Sequence, residues 1–223
     1  MSLNTQEKIR CPKCGAMNDM TAWQSVTVSD SEDLKQELLA GRLNILTCCE
    51  CSARALLPMP LLYHDEAKKL MFSFYPAENE DAAAAQFTSI RESSKSSGEL
   101  EGFEDYNLRF ISSYNALLEK ILIFDAGLND KTVEVIKLMV LMQEPDKMDD
   151  RTALFGKRCE DGSIEIMVQN NSDGAVFTSR APEMTYTAIH AELLRSGVKD
   201  ISYDWEVVDR AYAALLLGGV NNV

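Results

Sequence analysis

The sequence has few of the residues that most often perform chemistry. Its 223 residues include only two histidines, His64 and His190. Neither belongs to an H-E-x-x-H zinc motif, and the chain has no G-x-S-x-G nucleophile motif and no P-loop. His64 precedes the acidic pair Asp65-Glu66, and His190 follows Tyr186 by one helical turn, so we interpret both as surface or packing residues. The sequence therefore predicts no catalytic set.

Long apolar runs are also absent. No stretch approaches the roughly 18 residues that a membrane-spanning helix needs. The first residues lack the basic region and apolar core of a secretory signal, so we expect a cytoplasmic protein with no membrane segment.

Positive charge is scarce as well. The chain has 22 Lys and Arg against 35 Asp and Glu, a net charge of -13, and residues 1–76 are close to neutral. Because nucleic-acid binding needs a basic face, a nucleic-acid partner is not expected. A small basic patch around Lys8, Arg10 and Lys13 leaves that alternative open.

Six cysteines are present, and four form two pairs of the type C-x-x-C. Cys11 pairs with Cys14, and Cys48 pairs with Cys51. Each spacing places two sulfurs on one tight turn, and four thiolates make the closed tetrahedral shell that a structural zinc prefers. We therefore predict one structural Zn²⁺ held by these four cysteines, with iron as the other metal that such a shell accepts.

A redox function for one pair is the alternative reading. It requires a βαβ context with the motif at the start of a helix, and the sequence indicates none. Cys49 lies between two predicted ligands and is expected to point away from the metal. Cys159 stands alone and is expected to be buried.

Several motifs resemble one known family in order and spacing. They are CPKCG at 11–15, W-x-S-V-x-V-S at 23–29, L-K-x-x-L-L-x-G-x-L-N at 34–44, T-C-x-x-C at 47–51, LLPMPLLYHD at 56–65 and IFDAGLND at 123–130. The chain is similar to the bacterial and archaeal CpXC domain, named for its two Cys-Pro-x-Cys motifs. Cys49 departs from the pattern, since the family has proline there. The resemblance supports the four-cysteine assignment and, because the family has no established function, adds no catalytic residue.

The fold predicted is α+β, beginning with a zinc-ribbon-like β domain over residues 8–76. Strands are predicted at 8–15, 21–29, 43–47, 54–63 and 70–75, and Pro58 and Pro60 favour an edge position for the fourth. One inserted helix begins near Asp30 and ends at Gly41. So small a segment has a thin core, which a metal can reinforce.

The rest of the chain is predicted as a linker and a second domain. Residues 77–101 are acidic and serine-rich, with a flexible loop at 93–98. The α+β domain at 102–220 begins with two antiparallel helices, at 103–124 and 131–144, the second capped by Asn129 or Asp130. Strands at 151–159, 163–169 and 175–179 form an antiparallel meander. Helices follow at 182–195 and after Asp204, the predicted cap of the last helix, and the tail at 221–223 is expected to fray.

These observations favour a non-enzymatic zinc protein that acts by binding another protein. A homodimer is left open by the apolar end of the helix at 131–144. Two other classes stay open: a nucleic-acid-associated zinc ribbon, and an enzyme whose site lies in a cleft between the two domains.

Overall fold

The described residues of the chain form six α-helices and eleven β-strands, the latter in several small sheets. The computed structural model describes residues 1–57, 59–98, 100–202 and 204–220. The expectations for Pro58 and for the tail at 221–223 lie outside these residues. Two compact units are formed, one by Met1–Leu118 with Ser202–Glu206 and the other by Glu119–Ile201 with Val207–Val223. No helix in the described part of the chain has both the length and the apolar character needed to cross a membrane.

Two hairpins and a four-stranded sheet build the first unit. Its elements are β1 (Asn4–Arg10), β2 (Met17–Trp23), β3 (Ser25–Thr27), α1 (Glu32–Leu39), β4 (Ile45–Thr47), β5 (Arg54–Leu56), β6 (Leu61–Asp65), β7 (Leu70–Phe74), α2 (Glu80–Ser97), β8 (Asn107–Ile111) and the start of α3 (Tyr114–Asp125). The β1–β2 and β4–β5 pairs are antiparallel hairpins. The larger sheet has the order β3-β6-β7-β8, with only its central pair antiparallel.

The prediction of a flexible loop at 93–98 is wrong, because this stretch is the end of helix α2. The side chain of Asn79 caps α2 by accepting a hydrogen bond from the Ala82 N–H, and Gly98 ends it at φ 69°. Parallel neighbours such as β7 and β8 need a long crossover connection, and α2 is that crossover. The domain limits 8–76, 77–101 and 102–220 stay predictions, although the sheet takes its last strand from residues 107–111.

The prediction of one helix over 103–124 is also wrong in its first half. Residues Asn107–Ile111 form β8, which pairs in parallel with β7, and α3 begins only at Tyr114. The spacing of Phe110, Tyr114 and Leu117 suits a helix, but a short apolar run suits a buried strand equally well. Pairing with β7 decides between the two, and it is invisible in local spacing.

The second unit surrounds one helix, α4 (Asp130–Leu141), whose cap is Asn129, one of the two residues predicted for this role. Strands β9 (Arg151–Arg158), β10 (Ile164–Asn170) and β11 (Val176–Ala181) form the predicted antiparallel meander, and α5 (Glu183–Arg195) follows. A 3-10 turn at Pro145–Lys147 connects α4 to β9. Val133 and Ile136 of α4 pack in the core with Phe155 and Ile166 of the sheet.

Helix α4 buries charged residues together with its apolar ones. Lys120 of α3 lies 3.0 Å from Glu134 and 3.3 Å from Asp130, and all three are almost fully buried. Burial alone would lower the pKa of Lys120, but the two carboxylates raise it above its ordinary value. Breaking such a pair would leave an uncompensated buried charge, so each partner depends on the other.

The cap predicted for the last helix is wrong by five residues. Helix α6 (Arg210–Val220) is preceded by Asp209, whose side chain accepts a hydrogen bond from the Tyr212 N–H at 2.9 Å. Asp204 instead contacts Arg91 and Lys95 of α2. Both aspartates suit a cap by residue type, and tertiary contacts assign them different tasks.

Replacing Asn79 tests whether α2 is a helix in solution. Asn79→Ala removes the cap and should lower the free energy of unfolding by about 1 kcal/mol, while Asn79→Asp keeps an acceptor and should be nearly neutral. Urea unfolding followed by circular dichroism measures both. If residues 77–101 were a flexible linker, both variants would unfold at the same urea concentration as the wild type.

Candidate metal centre

The two cysteine pairs lie in the turns of two hairpins that have the same backbone geometry. In the β1–β2 turn, the Cys11 N–H donates to the Ala16 carbonyl at 2.8 Å, and the Cys11 carbonyl accepts from the N–H four residues on at 3.0 Å. In the β4–β5 turn, the Cys48 N–H donates to the Ala53 carbonyl at 2.9 Å, and the Cys48 carbonyl likewise accepts at 3.0 Å. Each turn therefore presents its two sulfurs in the same way.

One residue in each turn adopts the left-handed backbone conformation. Gly15 has φ 77° in the first turn, and Ser52 has φ 55° at the corresponding place in the second. Glycine adopts this conformation without strain, whereas serine has a Cβ that disfavours it. The second turn therefore carries strain that the first avoids.

The four sulfurs converge on one point. The Sγ atoms of Cys11, Cys14, Cys48 and Cys51 all lie within 4.8 Å of one another. Two of the pairs that cross between the turns lie at 3.7 Å (Cys11 with Cys51) and 3.5 Å (Cys14 with Cys48). Zn–S bonds of about 2.3 Å in a tetrahedron place sulfurs about 3.8 Å apart. All four cysteines are free, so this cluster could hold a metal ion.

The first cysteine of each pair is the buried one, and its thiolate is stabilised by the turn. Cys11 and Cys48 are both 2% exposed. In each turn the backbone N–H groups three and two residues further on lower the pKa of the first thiol, the nearer group contributing less. For Cys48 the pKa falls to about 6. These two thiols therefore ionise more readily than an ordinary cysteine, and a metal ligand must be a thiolate.

Cys14 behaves in the opposite way. The N–H of Ala16 lowers its pKa, but the neighbouring thiols of Cys51 and Cys48 raise it, and the result is a pKa of about 12. Four thiolates cannot share so small a volume unless a cation offsets their charge. The last proton is therefore expected to leave only when a metal binds.

Asn18 supports the cluster, and sequence spacing does not reveal it. This buried residue of β2 accepts a hydrogen bond from the Cys49 N–H at 2.9 Å through Oδ1. Its Nδ2 donates to the Ala16 carbonyl at 2.9 Å and lies 3.8 Å from the Cys48 sulfur. One amide thus ties the first hairpin to the second turn. The Cys49 N–H that it uses is one that proline would lack.

The remaining cysteines and the histidines lie outside this cluster. Cys49 is exposed and contributes no sulfur to it, and Cys159 is half-buried where burial was expected. The His64 ring packs against Phe103 and Tyr106, and burial lowers its pKa.

The His190 ring stacks on Tyr186 and has polar partners as well. Its Nδ1 lies 3.0 Å from the Thr132 hydroxyl and its Nε2 3.7 Å from Asp200. Thr132 is fully buried and hence closed to a substrate.

Comparison with known proteins adds a family assignment. The family described as CpXC protein matches residues 9–137, more than half of the chain and both cysteine turns. The chain belongs to the CpXC family. The match reaches into α4, which confirms the extension predicted through 123–130. No curated protein and no solved structure gives a match.

The left-handed residues offer a matched pair of substitutions. A Cβ at Gly15 would approach only Arg10 Nη1, at 4.0 Å, so Gly15→Ala tests backbone strain without a clash. We expect it to lower the free energy of unfolding by about 1 kcal/mol. Ser52→Gly should raise the free energy of unfolding by a smaller amount, since relief of strain is partly offset by a more flexible unfolded chain. Urea unfolding of the wild type and both variants measures these changes, and equal stability of all three proteins would contradict this account of the turns.

Substitution of Asn18 tests its support of the second turn. Asn18→Ala should weaken metal affinity by about 10- to 100-fold, as for other groups that orient metal ligands. Competition with a chromophoric chelator measures this affinity. Asp19→Ala is the control, because Asp19 is the next residue on the same strand and its side chain is 79% exposed. Equal affinity in the two variants would show that Asn18 has no part in binding.

Proposed function

We propose that this CpXC protein holds one structural Zn²⁺ in a closed shell of four thiolates and acts by binding another protein. The convergence of four free sulfurs from two turns carries the metal part of this proposal. A catalytic zinc keeps an open position for water or substrate, and a shell of four cysteines leaves none. A stabilising metal is therefore favoured over a reactive one.

The form of the first unit supports a zinc-ribbon-like description. Two antiparallel hairpins each bring two ligands in a turn, and β1 and β5, which flank these turns, are largely exposed. β4 and β5 have three residues each and could bury little surface by themselves. A metal bound between the turns would supply free energy that packing does not.

Net charge supports a protein partner over a nucleic acid. At -13 the chain repels phosphate backbones at a distance, and four thiolates with one Zn²⁺ add further negative charge. Protein surfaces carry both signs of charge and do not impose this penalty. A nucleic-acid partner remains the alternative and would show binding that weakens steeply with salt.

Substitution of single cysteines tests the metal centre. Cys14→Ser should abolish stoichiometric zinc, because Cys14 is one of the four ligands, and should lower the melting temperature. Cys49→Ser should retain both, since Cys49 is exposed and its sulfur lies outside the cluster. Elemental analysis of protein purified without chelator measures zinc and iron together. Unchanged zinc content and stability in Cys14→Ser would contradict a structural metal.

The binding role has a test of its own. A photo-crosslinking residue at exposed Glu50, in the second turn, should yield a discrete protein adduct in cells that produce the chain. A matched position at exposed Lys157, in the second unit, checks the other surface. Adducts with nucleic acid alone would favour the alternative, and no adduct at either position would exclude these two surfaces as the sites of partner contact.

A further inference from the structure

A short segment far along the chain completes the first unit. Ser202–Glu206 belongs to this unit, although the residues on both sides of it belong to the second. Its last residue, Glu206, pairs with Arg109 of β8, which is the edge strand of the four-stranded sheet. The Glu206 N–H donates to the Leu108 carbonyl at 3.2 Å, and the Glu206 carbonyl accepts from the Phe110 N–H at 2.9 Å. Glu206 thus pairs with the sheet edge as one residue of an added strand would.

Trp205 is the buried anchor of the segment, with only 6% of its surface exposed. It packs in a cluster whose buried members are Met71, Tyr106 and Leu108. Partly buried residues of α2 and the following turn complete the wall: Phe87, Ile90, Leu100 and Phe103. Tryptophan in a closed pocket of this kind is typical of the residue that dominates a peptide interface.

The indole N–H also has a partner in this pocket. Trp205 Nε1 donates to the Ser94 hydroxyl at 3.0 Å, and that hydroxyl donates to the Ile90 carbonyl at 2.8 Å. Ser94 is buried within α2. Because the hydroxyl would otherwise lack this donor, the pocket selects tryptophan over phenylalanine.

The residues on both sides of Trp205 in the sequence are acidic, and each forms an ion pair with a basic side chain. Asp204 Oδ2 lies 2.6 Å from Arg91 Nε and 2.8 Å from Lys95 Nζ, both on α2. Glu206 Oε2 lies 3.0 Å from Arg109, whose side chain is fully buried in β8. The site therefore combines a strand edge, an aromatic pocket and cations on both sides of that pocket. These features together suit a segment with the pattern acidic–Trp–acidic.

We propose that the cleft between α2 and the edge of β8 is a binding site for an extended protein segment in which tryptophan lies between two acidic residues. Ser202–Glu206 is the resident ligand of this site, and a partner's segment of the same chemistry takes its place. This inference rests on the binding role proposed above and names the chemistry of the partner. It uses no residue of the metal centre.

The test uses the full, zinc-loaded chain with its own ligand removed. In the emptied variant, Asp204→Ala, Trp205→Ala and Glu206→Ala are combined. A fluorescent peptide of residues 200–208 should bind this variant saturably and the wild type at least tenfold more weakly, because a tethered ligand competes at an effective concentration near the millimolar range. Fluorescence anisotropy measures both affinities. A peptide carrying Trp205→Ala should lose binding to the emptied variant.

Exchange of the charges in the Asp204 ion pairs distinguishes specific binding of the peptide from nonspecific binding. Arg91→Glu with Lys95→Glu in the emptied variant should weaken the native peptide at least tenfold and should restore binding of a peptide carrying Asp204→Lys. Ser89→Glu with Ser93→Glu, at exposed positions on the same helix, is the matched control and should change the affinity for the native peptide little.

Two outcomes would overturn the inference. One is a folded emptied variant that does not bind the peptide, and the other is equal binding of the native and Trp-lacking peptides. If the emptied variant does not fold, Asp204→Asn with Glu206→Gln weakens the resident ligand without removing its volume. That variant must then bind the native peptide at least tenfold more tightly than the wild type does, and failure to do so overturns the inference equally. Zinc content is measured in every variant. A variant that loses peptide binding but retains one zinc contradicts the cleft proposal alone and leaves the metal proposal standing.

Discussion

Four sulfurs within 4.8 Å are the constraint on which the first unit depends. Thiolates repel at this distance, so the arrangement is stable only with protons or a cation between them. The cysteines differ in how readily they lose their protons. Backbone N–H groups favour the thiolate of Cys48, whereas neighbouring sulfurs favour the protonated thiol of Cys14. A bound metal would remove this conflict and would fix the relative position of the two hairpins.

Asn18 shows how the chain makes that arrangement specific. Metal ligands alone leave the approach of the two turns free to vary, because bonds to sulfur rotate easily. The Asn18 amide binds groups on both turns and removes part of that freedom. It also gives the Cys49 N–H a partner, which accounts physically for the tolerance of a residue other than proline at that position.

The larger sheet of the first unit is assembled from distant parts of the chain. Its parallel β7–β8 pair requires the crossover through α2, and Glu206 pairs with Arg109 at the edge of β8. Uncovered edges invite pairing with other chains, so a covering segment also limits unwanted association. Because the cover is held by three side chains with distinct chemistry, it has the properties of a ligand as well as those of a strand.

Local sequence determined much of this protein. The C-x-x-C spacing identified the four sulfurs that converge, and turn residues with alternating apolar positions identified β9, β10 and β11. Asn129 or Asp130 marked the start of α4 in the sequence, because a cap acts within one helical turn, and the structure has Asn129 as the cap. Features of this kind depend on neighbours a few residues away, which a single sequence displays directly.

Only the tertiary structure decided the rest. Residues 107–111 became a strand through pairing with β7, and Asp204 became an ion-pair partner of α2 when the last helix took its cap from Asp209. Asn18 and Trp205 acquired their roles from groups 30 or more positions away. Periodicity and residue type carry no record of such partners, because the free energy that selects them arises only when distant segments are packed together.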